Sequence, residues 1–228
     1  MFPEPASRHY RGEAGQRYHH EKRAIPESAI PWVAQLRAEK ISPHVRESDV
    51  VFEYGVGSGW NLAKLKCKQR LGFDVSEFLA PVVRAQGIEF VSDLKNISDA
   101  SIDVVVCHHT LEHVLNPPEV LLEMRRVLRP NGKLLLFVPH EHEGKYARFN
   151  REEPNHHLYS WNVQTLGNLV EECGFKVVEG KIGRFGYDRF AAAWVTKFHL
   201  GEFGFYCVRN LIHILKPAFE VRIVAVKS

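Results

Sequence analysis

Cysteine, methionine and unbalanced charge are all scarce in this chain. Four cysteines and two methionines occur in 228 residues, and the formal net charge is only +3. Cys67, Cys107, Cys173 and Cys207 lie far apart, and none forms a C-x-x-C pair. Reduced thiols in a cytoplasmic protein are therefore expected. No apolar run reaches the roughly 18 residues that a bilayer-crossing helix needs. The opening MFPEPASRHYRGEAGQ lacks the apolar core of a signal peptide. Lysine and arginine are spread along the chain, so no nucleic-acid footprint is expected. The single basic cluster, Lys64 to Arg70, reads as a solvated helix face. G-K-[ST] is also missing, which excludes a P-loop.

Against these absences stand several valine-, leucine- and phenylalanine-rich runs, of the kind found in strands buried on both faces. DVVFEYG, RLGFDVS, IEFVSDL, SIDVVVCHH and KLLLFVPH read as five strands, and FKVVEGKI and EVRIVAVKS as two more. Helical spacing links Ala29, Val33 and Leu36, and again Leu79, Val82 and Val83. Val120, Met124 and Val127 form a third helical stripe, with Asn116 as its N-cap and Pro117 at its first position. A fourth runs through Leu166, Leu169, Val170 and Cys173, capped by Asn162 and ended at Gly174. Residues 1–24 are polar and aromatic without strong periodicity. Alternating strands and helices predict a doubly wound α/β sheet in one domain. Its parts are an N-terminal helical segment (1–47), a core (48–182), a helical cap insertion (183–219) and a last strand (220–228).

In such sheets ligands bind beyond the carboxyl ends of the strands. There the first strand runs into Gly55, Gly57 and Gly59, which let main chain approach a ligand closely. Trp60 stands where a dinucleotide fingerprint has its last glycine, which argues against a nicotinamide or flavin enzyme. Asp74 ends the second strand and can accept from both hydroxyls of a ribose. Asp93 ends the third and can accept from an exocyclic adenine amine, with Val75 and Leu94 offering apolar surface to the base. Either aspartate alone is explained by turn formation. Three strand ends carrying these groups in order predict a nucleoside site.

These stretches, with IDVVVCHHTLEHV and EVLLEMRRVLRPNGKLLLFVP, resemble the consecutive motifs of class I S-adenosylmethionine-dependent methyltransferases. The closest likeness is to the broad group containing the ubiquinone- and menaquinone-biosynthesis enzymes and many small-molecule methyltransferases. It covers about residues 48–180. It implies a Rossmann-like seven-stranded sheet in the order 3-2-1-4-5-7-6, with the last strand antiparallel. It implies S-adenosylmethionine as cofactor, with Gly55, Gly57 and Gly59 along its methionine part and Glu53 near its amino group. Asp74 then holds the ribose, Asp93 and Leu94 border the adenine, and His108 contributes backbone contacts. Tyr54, Val56 and Trp60 depart from the commoner residues at the turn.

Methyl transfer from a sulfonium needs alignment above all, and a base where the nucleophile carries a proton. Tyr18 and Trp60 are candidates to face the sulfonium through cation–π attraction, Tyr18 on the expectation that the N-terminal segment folds over the cofactor. His109 and His113 sit on the substrate side of the fourth strand, where imidazole accepts protons at neutral pH. His156, His157 and Tyr159, in NHHLYSW, are placed to bind or deprotonate the acceptor. Each has a plainer reading, as loop hydrogen bonding or orientation of the next helix. The histidines, His140 and His142 among them, match no zinc spacing, and no essential metal is expected. N-P-P-E at 116–119 is explained by a helix start and lowers the case for nucleic-acid methylation.

In the insertion, Phe190, Trp194 and Phe198 recur every four residues, and Val208, Leu211, Ile212 and Leu215 form another stripe. A substrate-side cap is favoured over a homodimer contact or a membrane-surface face admitting a lipid-like acceptor. The chain is read as a cytoplasmic methyltransferase, monomer or homodimer, acting on a small molecule, O-methylation slightly ahead of N- or C-methylation. A non-catalytic S-adenosylmethionine-binding partner subunit or sensor is the alternative.

Overall fold

The computed structural model describes residues 9–22, 24–141, 147–151, 153 and 155–228; His142 lies outside them. Strands β1 (Val50–Tyr54), β2 (Gln69–Phe73), β3 (Glu89–Val91), β4 (Ile102–His108) and β5 (Leu128–His140) run parallel. Strand β7 (Phe219–Lys227) is antiparallel to both β5 and β6 (Phe175–Arg184). The sheet has seven strands in the order β3-β2-β1-β4-β5-β7-β6, the order and the antiparallel last strand that the resemblance implied.

Alternation within the buried strands divides the core between two faces. Val105 and Cys107 of β4, with Leu134 and Leu136 of β5, pack with α4 (Pro117–Val127) and α5 (Val163–Glu172). Val104, Val106, Leu135 and Phe137 face the other way, onto α2 (Ile30–Ile41) and α3 (Ala80–Ala85). Side chains on both faces leave the sheet, so polar groups gather only where strands end.

Strand order reverses between β1 and β4, because β2 and β3 lie to one side and β5 to the other. The chain leaves these two strands in opposite directions and opens a crevice at their carboxyl ends. That crevice positions the site.

Several local features sharpen or amend the sequence reading. Helix α1 (Gly12–Lys22) forms in the stretch that showed no periodicity. Lys64–Arg70 is not a helix face: after the glycine turn the chain makes successive turns, burying Leu62 and Leu65, and enters β2 at Gln69. Asn116 precedes α4 without a side-chain cap bond, whereas Asn162 and Thr165 form a full capping box at α5. Helices α6 (Asp188–Lys197) and α7 (Gly201–Leu215) pack on α2 through Val33, Ala191, Val195 and Phe205. Phe190, Trp194, Phe203 and Ile214 remain exposed on their outer sides. Among the described residues no helix is long and apolar enough to cross a membrane.

Candidate active site

The floor of the crevice is the turn after β1. Gly55, Gly57 and Gly59 all adopt positive φ, a region costly for other residues. Their neighbours differ. A Cβ on Gly55 would lie 2.1 Å from Thr110 Oγ1, and one on Gly59 would lie 2.8 Å from Ile88 Cδ1. A Cβ on Gly57 would meet nothing within 4 Å. Asp74 fixes the turn from the neighbouring strand: its Oδ2 accepts from Gly57 N at 2.8 Å and its Oδ1 from Ser76 N at 2.8 Å. Gly55 N and Val56 N both donate to Phe73 O. Val56 fits because Gly72 has no side chain; a Cβ there would lie 2.5 Å from Val56 Cγ2.

Beneath the turn, Glu53 is wholly buried. Its Oε1 accepts from Asn61 Nδ2, and its Oε2 has no hydrogen-bond partner among the described residues. Burial pushes this carboxyl up from 4.5 to about 8, against the pull of the Asn61 amide. Between those values the unfolded chain binds fewer protons than the folded protein, so stability falls as pH rises. Glu53→Gln is expected to flatten that fall in cofactor-free protein. Urea unfolding at about pH 5 and about pH 8 measures it, and an unaltered slope in the variant would contradict the assignment.

At the end of β4, His108 and His109 stack with ring centroids 4.5 Å apart, and His109 packs on Phe185 at 4.0 Å. His109 Nε2 lies 3.2 Å from Glu220 Oε2 on β7. Lys40 Nζ, from the end of α2, donates to Glu220 Oε1 at 2.8 Å and to His108 Nε2 at 2.8 Å. Arg222 Nε donates to the same Oε1 at 2.8 Å. Burial alone would raise Glu220, but the Lys40 ammonium and His109 hold it down at about 2. Burial lowers Lys40 to about 8, still protonated at neutral pH. Glu220 is thus an ionised carboxylate, fully enclosed and held by cations.

Tyr10 crosses the open side. Its hydroxyl donates to Asn155 O at 2.9 Å and sits 2.9 Å from His113 Nδ1. With its one proton spent on the carbonyl, the hydroxyl oxygen accepts from His113 Nδ1–H. Leu158 N and Tyr159 N both donate to Glu112 O, tying the loop after β5 to the turn after β4.

These parts enclose a cavity with an empty volume of about 1000 Å³, its open mouth included. Tyr18, Tyr54, Phe73, Trp60 and Val75 give it apolar walls, and Asp74, Arg37, His109 and His113 its polar groups. A second cavity of about 650 Å³ adjoins it, sharing Arg37 and His108. The shape and lining are those of a small-molecule site at a topological switch point.

The family model described as Methyltransferase domain matches residues 21–180. The chain belongs to the class I S-adenosylmethionine-dependent methyltransferases. A Mycolicibacterium smegmatis relative named "Probable S-adenosylmethionine-dependent methyltransferase" is 27% identical over 70% of this chain and 72% of its own length. A Mus musculus relative named "Probable tRNA methyltransferase 9B" is 29% identical over 65% of this chain, which spans only 35% of that relative. Haemonchus contortus phosphoethanolamine N-methyltransferase 2, solved with phosphomonomethylethanolamine and S-adenosylhomocysteine, shares the fold with a TM-score of 0.58 at 17% identity. It covers 86% of this chain and 52% of that one. The methyltransferase uses S-adenosylmethionine, and the site fits it: Gly57 leaves a cradle that a Cβ would fill, beside the Asp74 carboxylate and under aromatic walls.

Of the cofactor-side residues expected from the sequence, Tyr18, Gly55, Gly57, Asp74, Val75 and His108 line the cavity of this methyltransferase. Four do not. Glu53 lies under the turn, and Gly59 packs on Ile88. Asp93 is exposed, and its carboxylate accepts from Lys95 N, the second amide of a short 3-10 turn (Leu94–Asn96), while Leu94 packs against the core. Trp60 lines the cavity, but the Arg37 guanidinium lies 5.5 Å from its ring centroid.

Of the residues expected on the acceptor side, His109 and His113 line the cavity, with the His157 ring centroid 4.9 Å from that of His113. His156 turns instead to His9, ring centroids 3.8 Å apart. Tyr159 donates to Leu115 O at 2.9 Å and stacks on Trp161, a loop-holding arrangement outside the cavity. Tyr10, Arg37, Lys40, Glu112 and Glu220 did not stand out in the sequence. Glu220 and Arg222 left one signal: two charges spaced two apart share a face of an otherwise apolar strand.

Proposed function

We propose that this methyltransferase acts on the hydroxyl oxygen of a small acceptor that also carries an anionic group. The cofactor supplies an electrophilic methyl on a sulfonium. Asp74 and the Gly57 main chain hold its adenosyl and methionine parts across the ends of β1 and β2, with Tyr18 covering it. Support for an oxygen acceptor comes from His109. An alcohol must lose a proton as it is methylated, and a positioned imidazole is the residue that most often takes one. Glu220 accepts from His109 Nε2–H, which leaves Nδ1 to receive the acceptor's proton. As the oxygen lone pair closes on the methyl carbon, the C–S electrons stay on sulfur.

Support for an anionic acceptor comes from the second cavity. Arg37, Arg184, Arg209, Arg222 and Lys40 line it and outnumber the acids around them, which are Glu39, Asp188 (paired with Arg209 and Arg37) and Glu220 (paired with Lys40 and Arg222). A carboxylate or phosphate on the acceptor suits it. A tRNA, the acceptor in the name of the mouse relative, needs a basic track over the surface rather than cations gathered in one recess.

The test incubates the protein with S-adenosylmethionine and a panel of hydroxy acids, phenolic acids and phosphorylated alcohols, following S-adenosylhomocysteine release. Turnover confined to acceptors with both a hydroxyl and an anionic group is expected. Turnover on amines alone, or on tRNA alone, would sink the reading. His109→Ala is expected to lower kcat roughly 10²-fold while leaving S-adenosylhomocysteine affinity unchanged. Full turnover in that variant would remove His109 as the base.

A further inference from the structure

At the wall of the methyl-transfer cavity three side chains remain unexplained: His113, and behind it Glu112 and His157. One ligand atom from each lies within 4.8 Å of the other two. Glu112 is almost wholly buried, and its Oε1 stands 3.7 Å from His113 Nε2 and 3.9 Å from His109 Nδ1.

The tautomers follow from the outer partners. Tyr10 oxygen accepts from His113 Nδ1–H, because the tyrosine's own proton is on Asn155 O. Glu141 Oε1 accepts from His157 Nδ1–H at 2.9 Å. Both rings therefore carry their lone pair on Nε2, and for His113 that atom is the one turned to the Glu112 carboxylate. A ligating histidine characteristically donates its other nitrogen to a carboxylate or another acceptor, which fixes the tautomer.

We propose that Glu112, His113 and His157 bind one divalent first-row cation, with zinc the best match, in the wall of the methyl-transfer cavity. Two imidazoles and a carboxylate are a donor set that zinc takes in catalytic sites, leaving the fourth position for water or substrate. Nitrogen-rich ligation disfavours magnesium and calcium. Bonds of about 2.0–2.1 Å put tetrahedral ligand atoms ~3.3 Å apart; His113 Nε2 and Glu112 Oε1 stand 3.7 Å apart, and one ligand atom of His157 lies within 4.8 Å of one from each of the other two.

A second cluster, His108, His109 and Glu220, passes the same distance test. Its chemistry differs. The Lys40 ammonium donates to His108 Nε2 and to Glu220, so a cation of the chain's own already occupies the centre. Glu112 is approached instead by two imidazoles, those of His109 and His113.

The role of the metal rests on the oxygen-acceptor reading. A hydroxyl bound at the fourth position is acidified by the cation, with His109 Nδ1 beside Glu112 to take the proton. The metal site itself does not depend on that reading. Sequence spacing hides it, since His157 arrives from the loop after β5, held by Leu158 N and Tyr159 N on Glu112 O.

The test strips the full chain with a chelator and titrates it with zinc against a chromophoric competitor, then with cobalt(II). One zinc per chain at micromolar affinity or tighter is expected, with the visible absorption of four-coordinate cobalt. Glu112→Gln and His157→Ala should each weaken zinc binding by at least roughly ten-fold, and Glu141→Gln by about ten-fold, with S-adenosylhomocysteine binding retained as the check of folding. Unchanged zinc affinity in both ligand variants overturns the proposal, as does weak, multiple binding in the millimolar range. Because no acceptor is present, the result stands apart from the oxygen-acceptor reading. Amine-only methylation by a zinc-loaded protein would sink that reading and leave the site intact.

Discussion

Asp74→Ala is expected to weaken S-adenosylhomocysteine binding about 10³-fold or more, the largest loss from any single cofactor-side substitution. Two effects combine. A ribose held there would lose the acceptor of two charge-assisted hydrogen bonds, each worth about 1.5–3 kcal/mol. The glycine turn also loses its anchor, because Asp74 accepts from Gly57 N and Ser76 N at once. Asp74→Asn keeps one acceptor oxygen and gives up the charge, so an intermediate loss is expected. Calorimetric titration of each folded variant measures the effect. Affinity within about threefold of the parent in Asp74→Ala would remove the ribose role.

Glu220→Leu is expected to cost about 3–5 kcal/mol of folding stability, because it strands a buried ammonium whose charge nothing else balances as closely. Lys40→Met should cost less, because Arg222 Nε and His109 Nε2 still hold the enclosed Glu220 carboxylate. The double variant decides the question. Removing both charges together should restore much of what either single change loses, since a buried pair and a well-packed apolar pair are often close in energy. Urea unfolding of all four proteins gives the coupling. Losses that simply add would show that Lys40 and Glu220 do not stabilise one another. The double variant should still be a poor enzyme, because His109 then lacks the carboxylate that sets its tautomer.

The sheet was legible because β1, β4 and β5 are buried on both faces and leave unbroken aliphatic runs such as Val104-Val105-Val106. The crevice was legible for the same reason: once the strands are ordered, Gly55, Gly57 and Asp74 can only stand at their carboxyl ends. Two motif residues also serve their own backbone or packing. Asp93 satisfies Lys95 N and Gly59 makes room for Ile88, two local uses that a pattern of residue types does not distinguish from ligand contacts. Under-reading occurred where partners are far apart in the chain. Lys40 looks like a helix-terminal lysine until β7 brings Glu220 to it, and Tyr10 looks like a polar-segment tyrosine until α1 lays it on His113. Helix α1 lies in the segment expected to be helical, but its bounds left no periodic signal because its hydrophobic face is small and it is held by aromatic contacts, among them Tyr10 with Tyr18 and His19 with Phe78.

The chain that follows Gly59 makes turns where nucleotide-binding folds usually begin a helix. A helix start would aim a ring of amide donors and a partial positive charge at whatever sits on the glycines. Its absence leaves the Asp74 carboxylate beside the glycines, with Gly57 N already bonded to it. A diphosphate bridge set down there would meet repulsion and few donors, while a cationic sulfur would meet attraction. A carboxylate with no helix start beside it suits a cationic sulfur better than a diphosphate.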